Sequence, residues 1–189
     1  MMDLLDGIWN GVTVGISTEQ DVLSAFGSPS EIYHEDSTAL KTTTYSYFDE
    51  SDTQTGLIWI TLKGDVVDVI NLDSEAIQSK GGPRLMVDLV NLLGRPDIVS
   101  WSSLQGSRTL IWPTKGIAAT VGFWAVEVDS SENHIWILEI FPPMDTNTFG
   151  ESTYYADLIP EANLYPTSEA NASEDPFDWN RFFQTPTPP

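Results

Sequence analysis

Two histidines are the side chains best suited to proton transfer near neutral pH, and they stand 100 positions apart in the chain. His34 follows the first predicted helix in Tyr33-His34-Glu35-Asp36, a stretch that we expect to form a loop. His134 precedes the last predicted strand. A metal site would need the two to meet, and no pattern brings them together, so exposed loop histidines are the favoured interpretation.

Acidic loops offer a second kind of chemistry, because carboxylate oxygens are the ligands that calcium prefers. The candidate loops are Asp49–Asp52 and Asp129–Glu132, and neither has the spacing of a known calcium motif. Solvated turns use the same residues, so calcium is the minority alternative.

The chain has no cysteine, which removes thiol catalysis and cysteine-bound metals. Nucleophile-elbow, phosphate-loop and dinucleotide motifs are also missing. The sequence therefore predicts a protein that is not an enzyme and has no cofactor, metal or catalytic residue.

Aromatic side chains remain as the candidate functional residues. Core packing is the default for an aromatic residue in a strand, but a sheet covered on one side leaves some of them exposed on the other. Exposed aromatic residues are typical of protein interfaces. The candidate partner-binding residues are Tyr45, Tyr47, Trp59, Trp112 and Trp136 in predicted strands, with Phe177, Trp179, Phe182 and Phe183 near the C-terminus.

The elements that would position these residues are indicated by an internal similarity. Residues 22–30 (VLSAFGSPS) resemble residues 89–97 (LVNLLGRPD), without a gap and at an offset of 67. Each copy reads as the end of a helix, closed by glycine and then proline. For the first helix Ser17 is the predicted cap, with Gln20 completing a capping box, and for the second Pro83 is predicted in the first turn.

Three strands are predicted after each helix from β-branched and aromatic residues. They cover residues 42–48, 57–62 and 66–72 in the first copy, and 109–112, 117–128 and 135–141 in the second. The predicted fold class is α+β: two tandem helix-plus-three-strand repeats form an antiparallel sheet with helices on one face. The units would be residues 1–78 and 79–144, forming one compact body, followed by an acidic, partly disordered tail of residues 145–189.

One stretch of the first copy resembles a known group of proteins. It contains Gly11-Val12-Thr13-Val14-Gly15-Ile16-Ser17-Thr18, then Asp21-Val22-Leu23 and Phe26-Gly27-Ser28-Pro29. This pattern resembles the SmpA/OmlA-type small lipoproteins and the fold group of the β-lactamase inhibitor protein. The resemblance implies an extracytoplasmic protein that binds other proteins through its sheet or loops. The second copy departs from the pattern at Gly81-Gly82-Pro83, and the N-terminal cysteine of the lipid-anchored members is missing.

The charge balance limits the class of partner. Eight Lys and Arg residues against 28 Asp and Glu residues give a net charge of −20, which repels nucleic acid and anionic lipid. We therefore expect a protein partner, for which the charge favours a basic one, with no nucleic-acid binding and no membrane span. The first hypothesis is a scaffold protein, accessory subunit or inhibitor outside the cytoplasm, which requires a leader that this chain does not contain. The second is a cytoplasmic, immunity-like inhibitor of a basic toxin or nuclease.

Overall fold

A computed structural model describes residues 7–36, 41–48, 56–102, 107–122, 133–152 and 164–166. Nine strands form one antiparallel sheet in the order β11-β7-β8-β9-β10-β6-β5-β4-β3, and β1 and β2 form a small separate hairpin. The strands are β1 (Ile8–Trp9), β2 (Val12–Thr13), β3 (Glu31–Asp36), β4 (Lys41–Tyr47), β5 (Ile58–Lys63), β6 (Val66–Asp73), β7 (Ile98–Ser102), β8 (Ser107–Trp112), β9 (Ile117–Gly122), β10 (Ile135–Ile140) and β11 (Leu164–Pro166).

Four short helices accompany the sheet: α1 (Glu19–Phe26), α2 (Ser74–Ser79), α3 (Met86–Leu93) and α4 (Thr146–Gly150). The carboxylate of Asp21 begins α1 by accepting hydrogen bonds from the backbone N–H of Thr18 at 2.8 Å and from its hydroxyl at 2.9 Å. These bonds satisfy a donor at the helix start and lower the pKa of Asp21. Asp88 receives the backbone N–H of Leu85 in the same way at the start of α3. The caps are therefore Thr18 and Leu85. The predicted cap Ser17 and capping-box residue Gln20 are each one residue too early, and Pro83, predicted in the first turn, lies three residues before the first helical residue.

The main core lies between the helices and one face of the sheet, which we call the helix-covered face. Alternate residues of the strands point into this core, as the two-residue period of a strand requires. Sheet residues of this core include Ile60, Ile70, Ala119 and Leu138, and all are fully buried. From the helices come Val22, Ala76, Ile77, Met86, Leu89, Val90 and Leu93.

The predicted fold class of two tandem helix-plus-three-strand repeats is wrong. The described residues form one large antiparallel sheet with a small separate hairpin and a few short helices. Strands β3 and β7, directly after α1 and α3, were not predicted. Residues 33–36 were predicted as a loop, yet they belong to β3 (Glu31–Asp36), which pairs with β4 over its full length. The helices are also not confined to one face, since α4 packs on the opposite side. The similarity of residues 22–30 and 89–97 stays a prediction of duplication.

The structure describes two short pieces of the C-terminal segment, residues 145–152 and 164–166, within the part predicted as a partly disordered tail. Asp145 caps α4 by accepting backbone hydrogen bonds from Asn147 and Thr148, both at 3.0 Å. Within α4, Phe149 is fully buried and its ring lies 5.7 Å from the ring of Phe141, between centroids. Strand β11 (Leu164–Pro166) then pairs with β7 at one edge of the sheet. Residues 145–152 and 164–166 therefore contribute to the folded body.

Candidate functional site

Two of the predicted binding aromatics, Tyr45 and Tyr47, lie on the helix-covered face of β4. Tyr45 is buried and its hydroxyl donates a hydrogen bond to the carboxylate of Glu19 in α1. This bond, with burial, raises the pKa of Tyr45 to about 12. Tyr47 is half-buried against Phe26 at 5.2 Å between ring centroids, and burial raises its pKa to about 12. Both tyrosines therefore attach α1 to the sheet.

Trp112 at the end of β8 is also part of the core. It is 1% exposed, and its indole Nε1 donates to the backbone carbonyl of Gly94 at 3.0 Å. Gly94 ends α3, where carbonyl groups lack partners within the helix. Trp112 therefore anchors the end of that helix. Trp112, Tyr45 and Tyr47 stabilise the fold and do not belong to the candidate binding surface.

Trp59 lies on the opposite side of the sheet, which we call the open face. The register places it in one row that crosses the sheet: Glu31, Ser46, Trp59, Asn71, Glu139, Ala118, Ile111 and Ile98 are successive partners from β3 to β7. Trp59 is half-buried in this row, with polar neighbours on both adjoining strands. It is the largest side chain of the row.

The second tryptophan of the open face is Trp136, at an irregularity in β10 between Ile135 and Ile137. Its indole lies over Gly122, since a Cβ atom on that glycine would be 1.7 Å from the ring atom Cζ2. Only a residue without a side chain leaves this space, so Gly122 determines the position of the Trp136 ring. Like Trp59, Trp136 is half-buried.

Threonine pairs occupy the open face on both sides of the tryptophans. Thr44 and Thr61 share a hydrogen bond of 3.0 Å between β4 and β5, and Thr109 and Thr120 share one of 3.1 Å between β8 and β9. All four are half-buried. Each hydroxyl can still form a further hydrogen bond.

One part of the open face is covered by the segment that follows β10. Ile111 and Ala118 are fully buried there in a small cluster with Phe141 and Phe149. Val69, Ile98 and Met144 pack against it. Among the described residues, the covered part thus lies over β8 and β9, and the tryptophans lie beyond it.

Carboxylates surround the uncovered part. Glu139 is next to Asn71 in the row, and Glu31 is at its β3 end. The side-chain oxygen Oδ1 of Asn71 is buried and accepts no hydrogen bond from the described residues. A buried acceptor without a donor is unfavourable by about 1–3 kcal/mol. The centre of the open face therefore combines an indole with a carboxylate and with one buried amide oxygen that accepts no hydrogen bond from the described residues.

Sequence reasoning did not select Ser46, Asn71 or Glu139. The available signal was Glu139 itself, a single carboxylate in the apolar strand Ile135–Ile140. A charge at an alternating position of such a strand indicates the side that is not packed in the core. Asn71 in Val66–Asp73 gives the same signal.

The remaining candidates do not converge. His34 is an exposed strand residue whose Nδ1 lies 3.1 Å from the Thr43 hydroxyl, so its prediction as a loop residue is wrong. His134 is exposed and pairs with Leu85 through the backbone, just before β10 as predicted.

Within the described ranges, no group of three or more His, Cys, Asp or Glu residues could hold a metal ion. The loops 49–52 and 129–132, and the aromatics Phe177, Trp179, Phe182 and Phe183, lie outside the described residues.

None of the described helices is long and apolar enough to cross a bilayer.

Comparisons with known proteins give similarities of fold. No family model matches the chain, and no curated protein matches it. Among solved structures, a DUF4309 family protein (YjgB) from Bacillus subtilis is 14% identical, with a TM-score of 0.46, covering 69% of this chain and 82% of that one. A cysteine-rich secretory protein (SAV1118) from Staphylococcus aureus is 11% identical, with a TM-score of 0.41 and coverages of 72% and 46%. A candidate β-lactamase inhibitor protein from Streptococcus mutans is 13% identical, with a TM-score of 0.29 and coverages of 57% and 75%.

Proposed function

We propose that this chain is a non-enzymatic protein-binding protein whose contact surface is the uncovered part of the open face. The observation that carries the proposal is the position of Trp59. Its indole is half-buried on the side of the sheet away from α1 and α3, among hydroxyl, amide and carboxylate groups. A large apolar side chain centred in a polar surface is the arrangement found at energetically important positions of protein interfaces.

The shape of the surface favours a protein over a small molecule. Strands β3 to β6 and β10 lie side by side, which at about 4.8 Å per strand gives a surface about 20 Å across. Small-molecule sites are concave and bury most of the ligand, whereas stable protein interfaces are broad. Trp59 near the middle and Trp136 towards one side would supply the apolar part of such an interface.

The charge of the surface favours a basic partner. Glu31 and Glu139 stand in the same row as Trp59, and the chain as a whole carries a charge of −20. A lysine or arginine of the partner that reached the row could donate to the exposed carboxylate of Glu31, because both cationic side chains carry several donors. Opposite overall charges would also accelerate the encounter of the two proteins.

We place this binding role outside the cytoplasm, in an assembly factor, accessory subunit or inhibitor. This part of the proposal comes from the resemblance of residues 11–29 to the small lipoproteins and the inhibitor fold group. The alternative is a cytoplasmic inhibitor that neutralises a basic toxin or nuclease, and the charge of −20 is the feature that favours it.

Site-specific photo-crosslinking in the source cells would test the surface directly. A photoreactive phenylalanine analogue replaces Trp59 in one variant and Trp136 in another. The control position is Leu92, which is 49% exposed on the outer side of α3. We expect the same protein adduct from positions 59 and 136 and none from position 92. Equal adducts from all three positions, or an adduct from position 92 alone, would contradict the proposal.

Salt then separates the two functions in a binding measurement with the captured partner. Attraction between exposed charges is screened by salt, whereas contact with buried aromatic area is much less sensitive. Binding that survives 0.5 M salt and weakens on Trp59→Ala supports the aromatic surface. Binding that disappears in salt and is unchanged by Trp59→Ala favours the acidic inhibitor.

A role of the C-terminal tail in binding is tested with a chain that ends at Pro166, because truncation at Asp145 would remove the buried Phe149.

A further inference from the structure

Strand β3 is the edge of the sheet at the end opposite β11. It pairs with β4 on one side, and in the part of the chain that the structure describes no strand pairs with its other side. Alternate residues of an edge strand direct their backbone N–H and C=O groups outward, and such groups can accept another strand. The described side chains of β3, residues 31–35, are all exposed.

The two sides of β3 differ in chemistry. Glu31, Tyr33 and Glu35 pair with residues on the open face, and the Tyr33 hydroxyl donates to the Glu31 carboxylate. Ile32 and His34 lie on the other side. Ile32 is 50% exposed and Tyr33 is 54% exposed, so both sides of this edge offer apolar area to solvent. One side of this edge is therefore acidic, and the other carries an exposed aliphatic side chain.

We propose that β3 accepts a strand from a partner protein in which basic and apolar residues alternate. The lysines or arginines of that strand would lie beside Glu31 and Glu35 on the open face, and its apolar residues beside Ile32. The proposal goes beyond the function proposed above, because it names the sequence pattern of the partner and a different contact, made by the backbone of β3 instead of the indole of Trp59.

A second copy of this chain fits the edge poorly. Paired β3 strands would bring the carboxylates of Glu31 and Glu35 of two chains together on one face, and like charges in adjacent strands are destabilising. The same carboxylates attract a basic strand, since opposite charges across a strand pair are stabilising. The charge pattern thus selects the partner class and discourages self-association.

The experiment uses the full chain and an eight-residue peptide in which lysine and valine alternate. A control peptide has the same sequence and charge except that one central valine is replaced by proline, which prevents continuous strand pairing. Amide hydrogen exchange of the protein is measured with each peptide. We expect slower exchange in residues 31–36 with the alternating peptide only, and no comparable change in the amides of β5 around Trp59.

Matched variants separate strand pairing from general attraction to an acidic protein. Glu31→Lys with Glu35→Lys should weaken peptide binding about tenfold, on the basis of two lost charge pairs across the strands. Asp97→Lys with Glu151→Lys makes the same change of net charge at exposed positions outside β3, directly before β7 and after α4. That control should bind with less than a twofold loss, and thermal unfolding checks that both variants fold.

Three results would overturn the inference: no protection in residues 31–36, equal protection by the proline peptide, or equal losses in the two double variants. Trp59→Ala keeps this test distinct from the proposed function. Peptide binding that persists in Trp59→Ala supports the edge contact whatever the open face binds, and failure of the peptide leaves the photo-crosslinking result at position 59 unaffected.

Discussion

Replacing Gly122 with alanine places a methyl group inside the volume of the Trp136 indole. The new Cβ would lie 1.7 Å from Cζ2, 1.8 Å from Cε2 and 2.5 Å from Cη2 of that ring. Ordinary contacts between carbon atoms are about 3.5–4.0 Å, so the ring must move by about 2 Å. Gly122 does not have a positive φ, and the backbone itself accepts alanine. The clash with Trp136 is therefore the main source of any loss of stability.

The expected change in the free energy of unfolding follows from two opposing effects of the new methyl group. Forcing a methyl group into an occupied space lowers the free energy of unfolding by about 1–3 kcal/mol. Alanine in place of glycine within a strand raises it by about 0.5–1 kcal/mol, because the unfolded chain loses freedom. With Trp136 present we expect Gly122→Ala to destabilise by about 1–2 kcal/mol. In a Trp136→Ala background the clash is absent, so the same substitution should be neutral or stabilising.

Urea unfolding of the four proteins of this double-mutant cycle measures the effect. The expected coupling between the two positions is about 2 kcal/mol, within the range for residues in contact. A similar loss in both backgrounds would refute the reasoning, because the cost would then not come from the indole. The same variant should also change the crosslinking yield at position 136 while leaving that at position 59 unchanged.

Three further perturbations test the fold. Gly116→Ala should destabilise much more than Gly64→Ala in urea unfolding: both glycines have a φ of 64°, but only the Cβ of the first would meet backbone, at 2.0 Å from the Phe141 carbonyl oxygen. Equal losses would show that the left-handed backbone alone, about 1–2 kcal/mol, accounts for the cost. The pKa of Tyr45 is raised from 10 to about 12 in the folded state, so the neutral phenol stabilises the fold below pH 10. As the pH rises from 10 to 12, the free energy of unfolding should fall by about 2 kcal/mol through this residue. Tyr45→Phe should not show this fall, and parallel curves of stability against pH for the two proteins would contradict the prediction. Asp21, with a lowered pKa, stabilises the fold above its unfolded pKa, and Asp21→Asn should reduce the loss of stability on acidification below pH 4 in thermal unfolding. A variant with an unchanged acid profile would show that the Thr18 hydrogen bonds are also made in the unfolded chain.

The sequence predicted the apolar strands well and the polar strands poorly. Strands β4, β5, β6, β8 and β10 lie within one or two residues of their predicted bounds, because β-branched and aromatic residues fill them. Strand β3 was missed because Glu31–Asp36 is rich in charged residues, which an edge strand tolerates when its side chains face solvent. The short helix α2 (Ser74–Ser79) was missed because six residues are too few for a clear period, although Asp73 caps it at 2.8 Å.

The candidate site was predictable only in part, because alternation along a strand does not show which side of the sheet the helices cover. It correctly put Tyr45 and Tyr47 on the same side of β4. That depends on the packing of α1 on the sheet, where Glu19 receives the Tyr45 hydroxyl and Phe26 contacts Tyr47. The roles of Trp59 and Trp112 were inseparable in sequence, because each is a tryptophan within an apolar strand.

The order of the strands has a consequence for how the chain reaches its native state. Strands β3 to β6 each pair with their neighbour in sequence, as do β7 to β10, and the ladder between β6 and β10 joins the two groups. The local hairpins can form early, whereas that ladder must close a long intervening segment and is expected to form late. A cut between Gly81 and Gly82 would divide the chain into two fragments. Each would gain one newly unpaired strand edge, β6 in the first and β10 in the second. Two such fragments, mixed in solution, should associate with each other along that edge and reconstitute the whole sheet.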